Sequence, residues 1–294
     1  MIMSKVADCR MAAFSPSAKI RVVQVEVTDS ARELERSHLC GPTAGLIQAE
    51  ALAGVALLGA DLAEADETVT LRMKASGPLA GLLVEAAADG GLRGYTQVKV
   101  LNDLDAAEEL DTSAALGDFA EVQVIRSRPG KVINSALFEM SPASVSRGLE
   151  MFFKQSLQRP VWVQTSALAY GAFIDSARGL MAELLPDGNA DVFADLEASF
   201  SDNTVLDCLE ASTSIKTICE TLGLADCTFE AARPLRFACR CSVGRVEGML
   251  ATLPTKDIRA MLAKTEPVQV FCHMCGKGYR VASPCLEQIL RDRE

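Results

Sequence analysis

The sequence has few of the residues on which common enzyme sites are built. Its 294 residues include only two histidines, His38 and His273. It contains neither the G-x-S-x-G motif of the α/β-hydrolases nor the G-x-x-x-x-G-K-[ST] loop that holds nucleotide phosphates. A hydrolase and an ATP-driven protein are therefore unsupported, and we expect the chain not to be an enzyme.

Long apolar runs are also missing. A helix that spans a bilayer needs roughly 20 consecutive, mostly apolar residues. The nearest candidate, residues Ala44 to Ala63, contains Gln48, Glu50 and Asp61. It predicts a buried helix and no membrane partner. The N-terminus lacks the continuous apolar core of a secretory signal, so we expect a cytoplasmic protein, with an organelle-targeting peptide left open.

Positive charge is scarce as well. Lysine and arginine total 29 against 39 acidic residues, which gives a net charge of -10 and a pI near 4.9. A protein that grips nucleic acid regardless of sequence needs clustered basic side chains to replace counterions on the phosphates. We therefore expect no nucleic-acid partner. Hydrophobic residues make up 49% of the chain, enough for a globular protein with a sizeable core.

The hydrophobic pattern predicts an α+β domain over residues 1–186. Alternation of apolar and polar side chains indicates strands, and an Asp-Gly pair between two of them indicates a hairpin. Thr43 is placed to cap the helix that follows the break at Gly41-Pro42. The predicted elements are strands at Ile20–Val27, Thr68–Lys74, Ala120–Arg126 and Val161–Ala169, a hairpin at Leu82–Tyr95, and helices at Ala31–Leu62 and Ser144–Ser156.

Residues 187–236 form a region of different composition. The 24 residues from Asp187 to Glu210 include seven acids and no lysine or arginine. Apolar side chains recur there at helical spacing, for example at Phe193, Leu196 and Leu209. One interpretation is a pair of amphipathic helices packed on the core. A second is that mutual repulsion among the acids leaves these helices only marginally docked, as a metastable helical linker.

Ten cysteines are present, and four of them form two tight pairs near the C-terminus. Cys239 and Cys241 are separated by one residue, and Cys272 and Cys275 by two. Four thiolates are the ligand set of a structural zinc ion, so we predict one Zn²⁺ per chain in a module at residues 237–294. A module of that size has a marginal core and commonly depends on a metal. The other six cysteines, and an exposed His273, are expected to lie outside the site.

A zinc site made only of thiolates can also respond to oxidants. Disulfide sulfur does not bind the ion, and Cys272 and Cys275 have the spacing of a ready dithiol pair. Structural zinc contributes roughly 10–16 kcal/mol of apparent folding free energy in small zinc fingers, whereas a disulfide stabilises the folded state by only on the order of 2–4 kcal/mol. Oxidation is therefore expected to unfold the module.

Several phrases of the sequence are similar to one known family. They are TVTLRMKASGPLAGLLVEAAADGGLRGY, ARGLMAELLP and PLRFACRCS, together with the two cysteine pairs. From about Ala18 to the C-terminus the chain resembles the redox-regulated heat-shock holdases, the thirty-three-kilodalton heat-shock chaperones of bacteria. Departures include Gly244 and Pro254, where the family usually has Glu and Gly.

The resemblance implies a specific activity. The reduced protein would hold zinc through Cys239, Cys241, Cys272 and Cys275 and be inactive. Peroxide with heat, or hypochlorous acid, would form Cys239–Cys241 and Cys272–Cys275 disulfides and release the metal. The module and linker would unfold, and a homodimer would hold unfolded client proteins without ATP.

Two other classes of function could use paired cysteines. A thiol–disulfide oxidoreductase would place Cys272 and Cys275 at the start of a helix in a thioredoxin-like βαβ unit, and nothing in the sequence indicates one. A binding module with a purely structural zinc ribbon remains the alternative. Retention of zinc under mild oxidant would favour the ribbon, and loss of zinc would favour the switch.

Overall fold

The computed structural model describes residues 7–171, 173–264 and 268–293. The chain divides into two compact units, the first ending at Ala238 and the second beginning at Cys239. The predicted linker, 187–236, lies within the first unit. The prediction about a targeting peptide partly concerns residues 1–6, which lie outside the described residues.

The first unit contains two sheets and eight α-helices among its described residues. In chain order the elements are β1 Cys9–Ser15, β2 Ile20–Glu26, α1 Thr28–His38, α2 Pro42–Leu58, β3 Thr68–Ala75, β4 Gly81–Ala87, β5 Gly91–Thr96, α3 Asn102–Asp105, α4 Thr112–Leu116, β6 Ala120–Arg128, β7 Lys131–Met140, α5 Val145–Met151, β8 Val161–Tyr170, β9 Phe173–Leu184, α6 Ala190–Ser201, α7 Thr204–Glu210, α8 Ile215–Thr221, β10 Thr228–Phe229, β11 Arg233–Pro234 and β12 Arg236–Phe237. A short 3₁₀ turn, Gly59–Asp61, extends α2, and a π-helical turn, Phe152–Ser156, extends α5.

Helix α2 lies between the two sheets. The first sheet has the order β10-β1-β2-β9-β8, with β11 also paired to β1, and the second has the order β12-β5-β4-β3-β6-β7. Fifteen of the 17 residues of α2 are buried, and its side chains share one hydrophobic core with both sheets. The segment Pro42–Asp61 is apolar enough to span a membrane by composition, but 89% of its most apolar window is buried in the fold. The predicted buried helix is confirmed.

The first sheet is covered on both faces. Along β2, Val23 and Val25 belong to the core around α2, whereas Ile20 and Val22 belong to a second cluster on the opposite face. Helices α6, α7 and α8 supply the other side of that second cluster. Because successive side chains of a strand point to opposite faces and both faces are covered, six of the seven residues of β2 are buried.

The strand and hairpin predictions are confirmed, with bounds shifted by a few residues. The predicted helix Ala31–Leu62 is two helices that break at Gly41-Pro42, as expected. The prediction that Thr43 caps α2 is wrong: its hydroxyl is buried with no hydrogen-bond partner in the described structure. Instead Asp105 of α3 accepts a hydrogen bond from the Thr43 backbone N–H at 3.0 Å. A distant carboxylate thus satisfies this helix end, which no local sequence pattern reveals.

Candidate metal centre

The second unit is small and is built around two cysteine-bearing segments. Its elements are α9 Val243–Leu250, α10 Thr255–Leu262, β13 Val268–Phe271, β14 Gly278–Val281 and α11 Ser283–Arg291. Strands β13 and β14 form an antiparallel hairpin, and Cys272 and Cys275 lie in its turn. Cys239 and Cys241 lie just before α9, whose N-terminus is capped by the Ser242 hydroxyl accepting from the Arg245 N–H.

The hairpin turn is held by its backbone. The Cys272 N–H donates to the Lys277 carbonyl at 2.9 Å, and the Gly276 N–H donates to the Cys272 carbonyl at 2.8 Å. Gly276 has a φ of 69°, a left-handed conformation that glycine adopts without steric cost. The turn brings both thiols of the pair to one side, as the sequence predicts for a metal-binding knuckle.

The four sulfur atoms lie together. The Sγ atoms of Cys239, Cys241, Cys272 and Cys275 are all within 4.8 Å of one another. The sulfurs of Cys239 and Cys272 are 3.8 Å apart, and those of Cys241 and Cys275 are 3.5 Å apart. A tetrahedral zinc ion with Zn–S bonds of about 2.3 Å requires S···S distances of about 3.8 Å. The arrangement of the four thiols therefore fits a tetrahedral metal ion.

The four cysteines, here called the quartet, lie in apolar surroundings and receive one hydrogen bond that was not predicted. Cys275 is buried, and Val246, Leu250, Ile258, Val281 and their neighbours form a separate small core. The Tyr279 hydroxyl donates to the Cys241 sulfur at 2.9 Å. Tyr279 was not among the predicted site residues. Its inward position follows from the alternation of β14, where Tyr279 and Val281 are buried between exposed residues.

Burial raises the pKa of Cys272 and Cys275 above the usual thiol range. Without a cation, these side chains are therefore neutral thiols at physiological pH. Four clustered thiolates would repel one another, and a divalent cation reverses that balance because coordination favours the deprotonated form. The site therefore disfavours deprotonated cysteines when no cation is bound and favours them when a metal ion is bound.

The remaining cysteines lie apart from the quartet. Cys208, Cys219 and Cys227 belong to the cluster beneath α6–α8, and Cys40 packs against the main core. Cys285 donates to a Glu247 carboxylate oxygen at 3.4 Å. His273 is exposed, as expected, and is not part of the sulfur cluster.

Comparisons with known proteins give one family. The family model described as Hsp33 protein matches residues 8–282. A "33 kDa chaperonin" of Thermus thermophilus is 30% identical, over 89% of this chain and 80% of the relative. Another of a Synechococcus strain is 26% identical, over 98% of this chain and 92% of the relative.

A solved structure has the same fold. The 33 kDa chaperonin (heat shock protein 33 homolog) of Thermotoga maritima superposes with a TM-score of 0.88 at 19% identity, covering 98% of this chain and 99% of that one. At that identity the likeness concerns the fold alone. The family match extends over almost the whole chain, from the first strand through the four-cysteine cluster. The chain belongs to the Hsp33 family.

Proposed function

We propose that this protein is a redox-regulated, ATP-independent holdase that prevents unfolding proteins from aggregating under oxidative stress. The observation that carries the proposal is the quartet of Cys239, Cys241, Cys272 and Cys275, whose sulfurs have the spacing of a tetrahedral thiolate site. The names of the relatives, which are called chaperonins, support the same class of function. The protein is a binding protein and not an enzyme.

Zinc is the metal that fits the quartet best, because an all-thiolate tetrahedral set is the ligand set of structural zinc. Bound zinc would cross-link the segment at Cys239–Cys241 to the β13–β14 turn. The unit's own core is small, with Val246, Leu250 and Ile258 among the seven buried residues of its hydrophobic cluster. The metal site therefore supplies much of the stability of this unit.

Oxidation of the quartet is the proposed signal. Two thiols and one hydrogen peroxide give one disulfide and two waters, so two such reactions consume all four ligands. We propose the pairs Cys239–Cys241 and Cys272–Cys275. In the reduced structure, sulfur contacts of 3.8 and 3.5 Å join other pairs, Cys239 with Cys272 and Cys241 with Cys275. Local pairs would let the unit open, whereas cross-pairs would keep its two halves linked, so mapping the disulfides distinguishes these outcomes.

The proposed consequence is release of the linker helices from the first sheet. Among the described residues, Asp187 is the only one of the seven acids from Asp187 to Glu210 in an ion pair, with Lys19 at 4.0 Å. Beneath the helices, Ile20, Val22 and Leu180 are fully buried. Undocking would expose these apolar side chains to clients, and two such faces could also pair as a homodimer.

The coupling would run through the chain that joins the linker to the cysteines. The Arg236 N–H donates to the Gly90 carbonyl at 3.0 Å, and the Ala238 N–H donates to the Leu92 carbonyl at 2.9 Å. Cys239 is the next residue of the chain after Ala238. Once the second unit unfolds, these last two hydrogen bonds lie at a frayed chain end, where local opening costs least. A reducing cytoplasm would keep the quartet reduced until an oxidant appears.

The test follows zinc and chaperone activity in the same sample. Reduced protein is treated with warm peroxide or hypochlorous acid, zinc release is followed with a metal-sensitive dye, and aliquots are assayed for suppressing aggregation of a heat-unfolded client. We expect about one zinc per chain to leave as client protection appears, and peptide mapping to find the two local disulfides. Zinc that remains bound would instead indicate a structural ribbon and would exclude the switch.

A further inference from the structure

A small polar cavity lies on the first unit, away from the cysteines. It has a volume of about 160 Å³ and is lined by Arg10 of β1, Arg21 of β2, Arg233 of β11 and Glu230, with alanines and a valine completing the wall. Since a water molecule occupies about 30 Å³ in the liquid, the cavity has room for about five waters or a small anion. Three guanidinium groups on the wall of so small a space require an explanation.

Two of these arginines are directly opposed across a strand pair. Arg10 and Arg233 are Cα partners in the antiparallel pairing of β1 with β11. Like charges directly opposite one another destabilise a sheet. Neither has an ion-pair partner within 4.0 Å among the described residues, whereas Arg21 pairs with Asp61 at 2.8 Å and with Glu183 at 2.7 Å. The pairing of β1 with β11 therefore places two positive charges side by side, and the carboxylates that attract Arg10, Asp61 and Glu230, lie beyond ion-pair distance.

Partial burial of the Arg10 guanidinium makes this arrangement of charges less favourable still. Arg10 is partly buried, and its pKa is lowered first by that burial and then by the charges of Arg233 and Arg21. Guanidinium groups present several N–H donors in a planar fork that matches the oxygens of an oxyanion. An anion held between Arg10 and Arg233 would turn the repulsion across the strand pair into attraction to a shared ligand.

We propose that the Arg10–Arg21–Arg233 cavity is a binding site for a small phosphate-like oxyanion. Glu230, the one carboxylate on the wall, can accept a hydrogen bond from a P–OH group. Inorganic phosphate carries such a proton at neutral pH and sulfate does not. The cavity should therefore prefer phosphate to sulfate.

The site would act on the end of the linker. Arg233 and Glu230 follow α8, and Arg10 and Arg21 belong to the sheet that α6–α8 cover. A ligand that binds only the docked arrangement stabilises it by mass action. Phosphate would thus favour the docked linker. The binding site itself lies wholly in the first unit and does not depend on the proposed redox function.

The test measures phosphate binding by the reduced, full-length protein. The melting temperature is followed against phosphate and against sulfate at constant ionic strength, and isothermal titration calorimetry measures binding directly. Both anions stabilise proteins weakly and without saturation by being excluded from the surface, so sulfate reports that background. We expect a saturable effect of phosphate that clearly exceeds the effect of sulfate.

Variants locate the site. Arg10→Gln and Arg233→Gln should each raise the half-saturating phosphate concentration at least tenfold, and Glu230→Gln should reduce the preference over sulfate. Without phosphate, Arg233→Gln should melt no lower than the unmodified protein, because it removes a repulsion. Arg72→Gln, on an exposed arginine of β3, is the matched control and should bind normally. Equal responses to phosphate and sulfate, or equal binding by all four variants, would overturn the proposal.

Discussion

The two faces of the first sheet are covered by helices that differ in how deeply they are buried and in whether they belong to the main core. Helix α2 covers one face and is buried at 15 of its 17 residues. Helices α6–α8 cover the other face with only seven buried residues, including Phe193, Val205 and Leu209. The first cover is continuous with the core of both sheets, and the second forms a separate cluster. One sheet thus has a permanent cover that is part of the main core and, under the proposed function, a removable one.

The comparison of the two covers shows how the apolar face of a sheet can be buried without becoming part of the main core. Burial of apolar side chains stabilises the outer helices, but their acids make few compensating contacts. Polar anchors are sparse: Gln24 donates to the Thr213 carbonyl at 2.9 Å, and Arg178 donates to the Leu209 carbonyl at 2.8 Å. Each such hydrogen bond contributes about 1 kcal/mol, or somewhat more where the donor is charged. Under the proposed function, the free energy that holds α6–α8 on the sheet is small enough for unfolding of the second unit to overcome it.

The largest effect is expected from the metal site. Cys272→Ser should remove a ligand that supports roughly 10–16 kcal/mol of apparent stability, so the second unit should lose zinc and become sensitive to protease without oxidant. Zinc content and limited proteolysis check this. Cys285→Ser, in the same unit but outside the quartet, is the matched control and should keep about one zinc per chain. Full zinc content in Cys272→Ser would refute the ligand assignment.

The next effect compares the two covers directly. Leu209→Ala on α7 and Leu52→Ala on α2 each truncate a fully buried leucine and should cost about 2–5 kcal/mol. Leu209→Ala should undock α6–α8 and protect clients while still reduced and zinc-bound. Leu52→Ala should lower the melting temperature of the whole first unit instead. Identical behaviour of the two variants would remove the distinction between a permanent and a removable cover.

The fluorescence of Trp162 should report whether α6 is docked on the first sheet. Its ring stacks on Phe193 at 6.0 Å between centroids and lies 6.5 Å from Phe200, and both partners belong to α6. Undocking of α6 should therefore change the fluorescence of this single tryptophan before the rest of the unit unfolds. Trp162 lies in the predicted strand Val161–Ala169, but its contact with α6 leaves no signal in the local sequence.

A smaller effect concerns the only ionisable residue of α2. Burial raises the pKa of Glu50 from 4.5 to about 7, in a cavity it shares with Arg147 and Glu150. Between those pH values the folded state binds more protons than the unfolded state, so stability falls as the pH rises from about 4.5 to about 7. Glu50→Gln should flatten this dependence and stabilise the protein at pH 8 by roughly 1–3 kcal/mol. Denaturant melts at several pH values check it, and an unchanged slope would contradict it.

The smallest effect concerns a single polar anchor. Gln24→Ala removes the hydrogen bond to the Thr213 carbonyl and should weaken linker docking by about 0.5–1.5 kcal/mol. The oxidant concentration needed for half-maximal client protection should fall slightly. Gln123→Ala on β6, in the other sheet, is the control and should leave that concentration unchanged. A larger fall in the control would mean that the anchor does not hold the linker.

Sequence patterns predicted the parts of the fold that are locally encoded. Alternation located β3 and β6, the Asp89-Gly90 turn located the β4–β5 hairpin, and spacing alone grouped the four cysteines. Strand β9 was not predicted. It is buried on both faces, so it shows no alternation, and it contains Gly179, where a Cβ would come within 3.1 Å of Leu57. Contacts between distant segments, such as Asp105 with the start of α2 and Arg10 with Arg233, leave no local signal.

The pairing of β1 with β10 and β11 has a consequence for synthesis of the protein. Cys9 and Ala13, among the first described residues, are partnered by Pro234 and Phe229 near the end of the first unit. Domains generally fold as their chain leaves the ribosome, and contacts between distant residues form last. The edge of β1 therefore stays unpaired until residues 228–234 have been translated. Each new molecule passes through a state in which this edge is open although its linker helices have already been made.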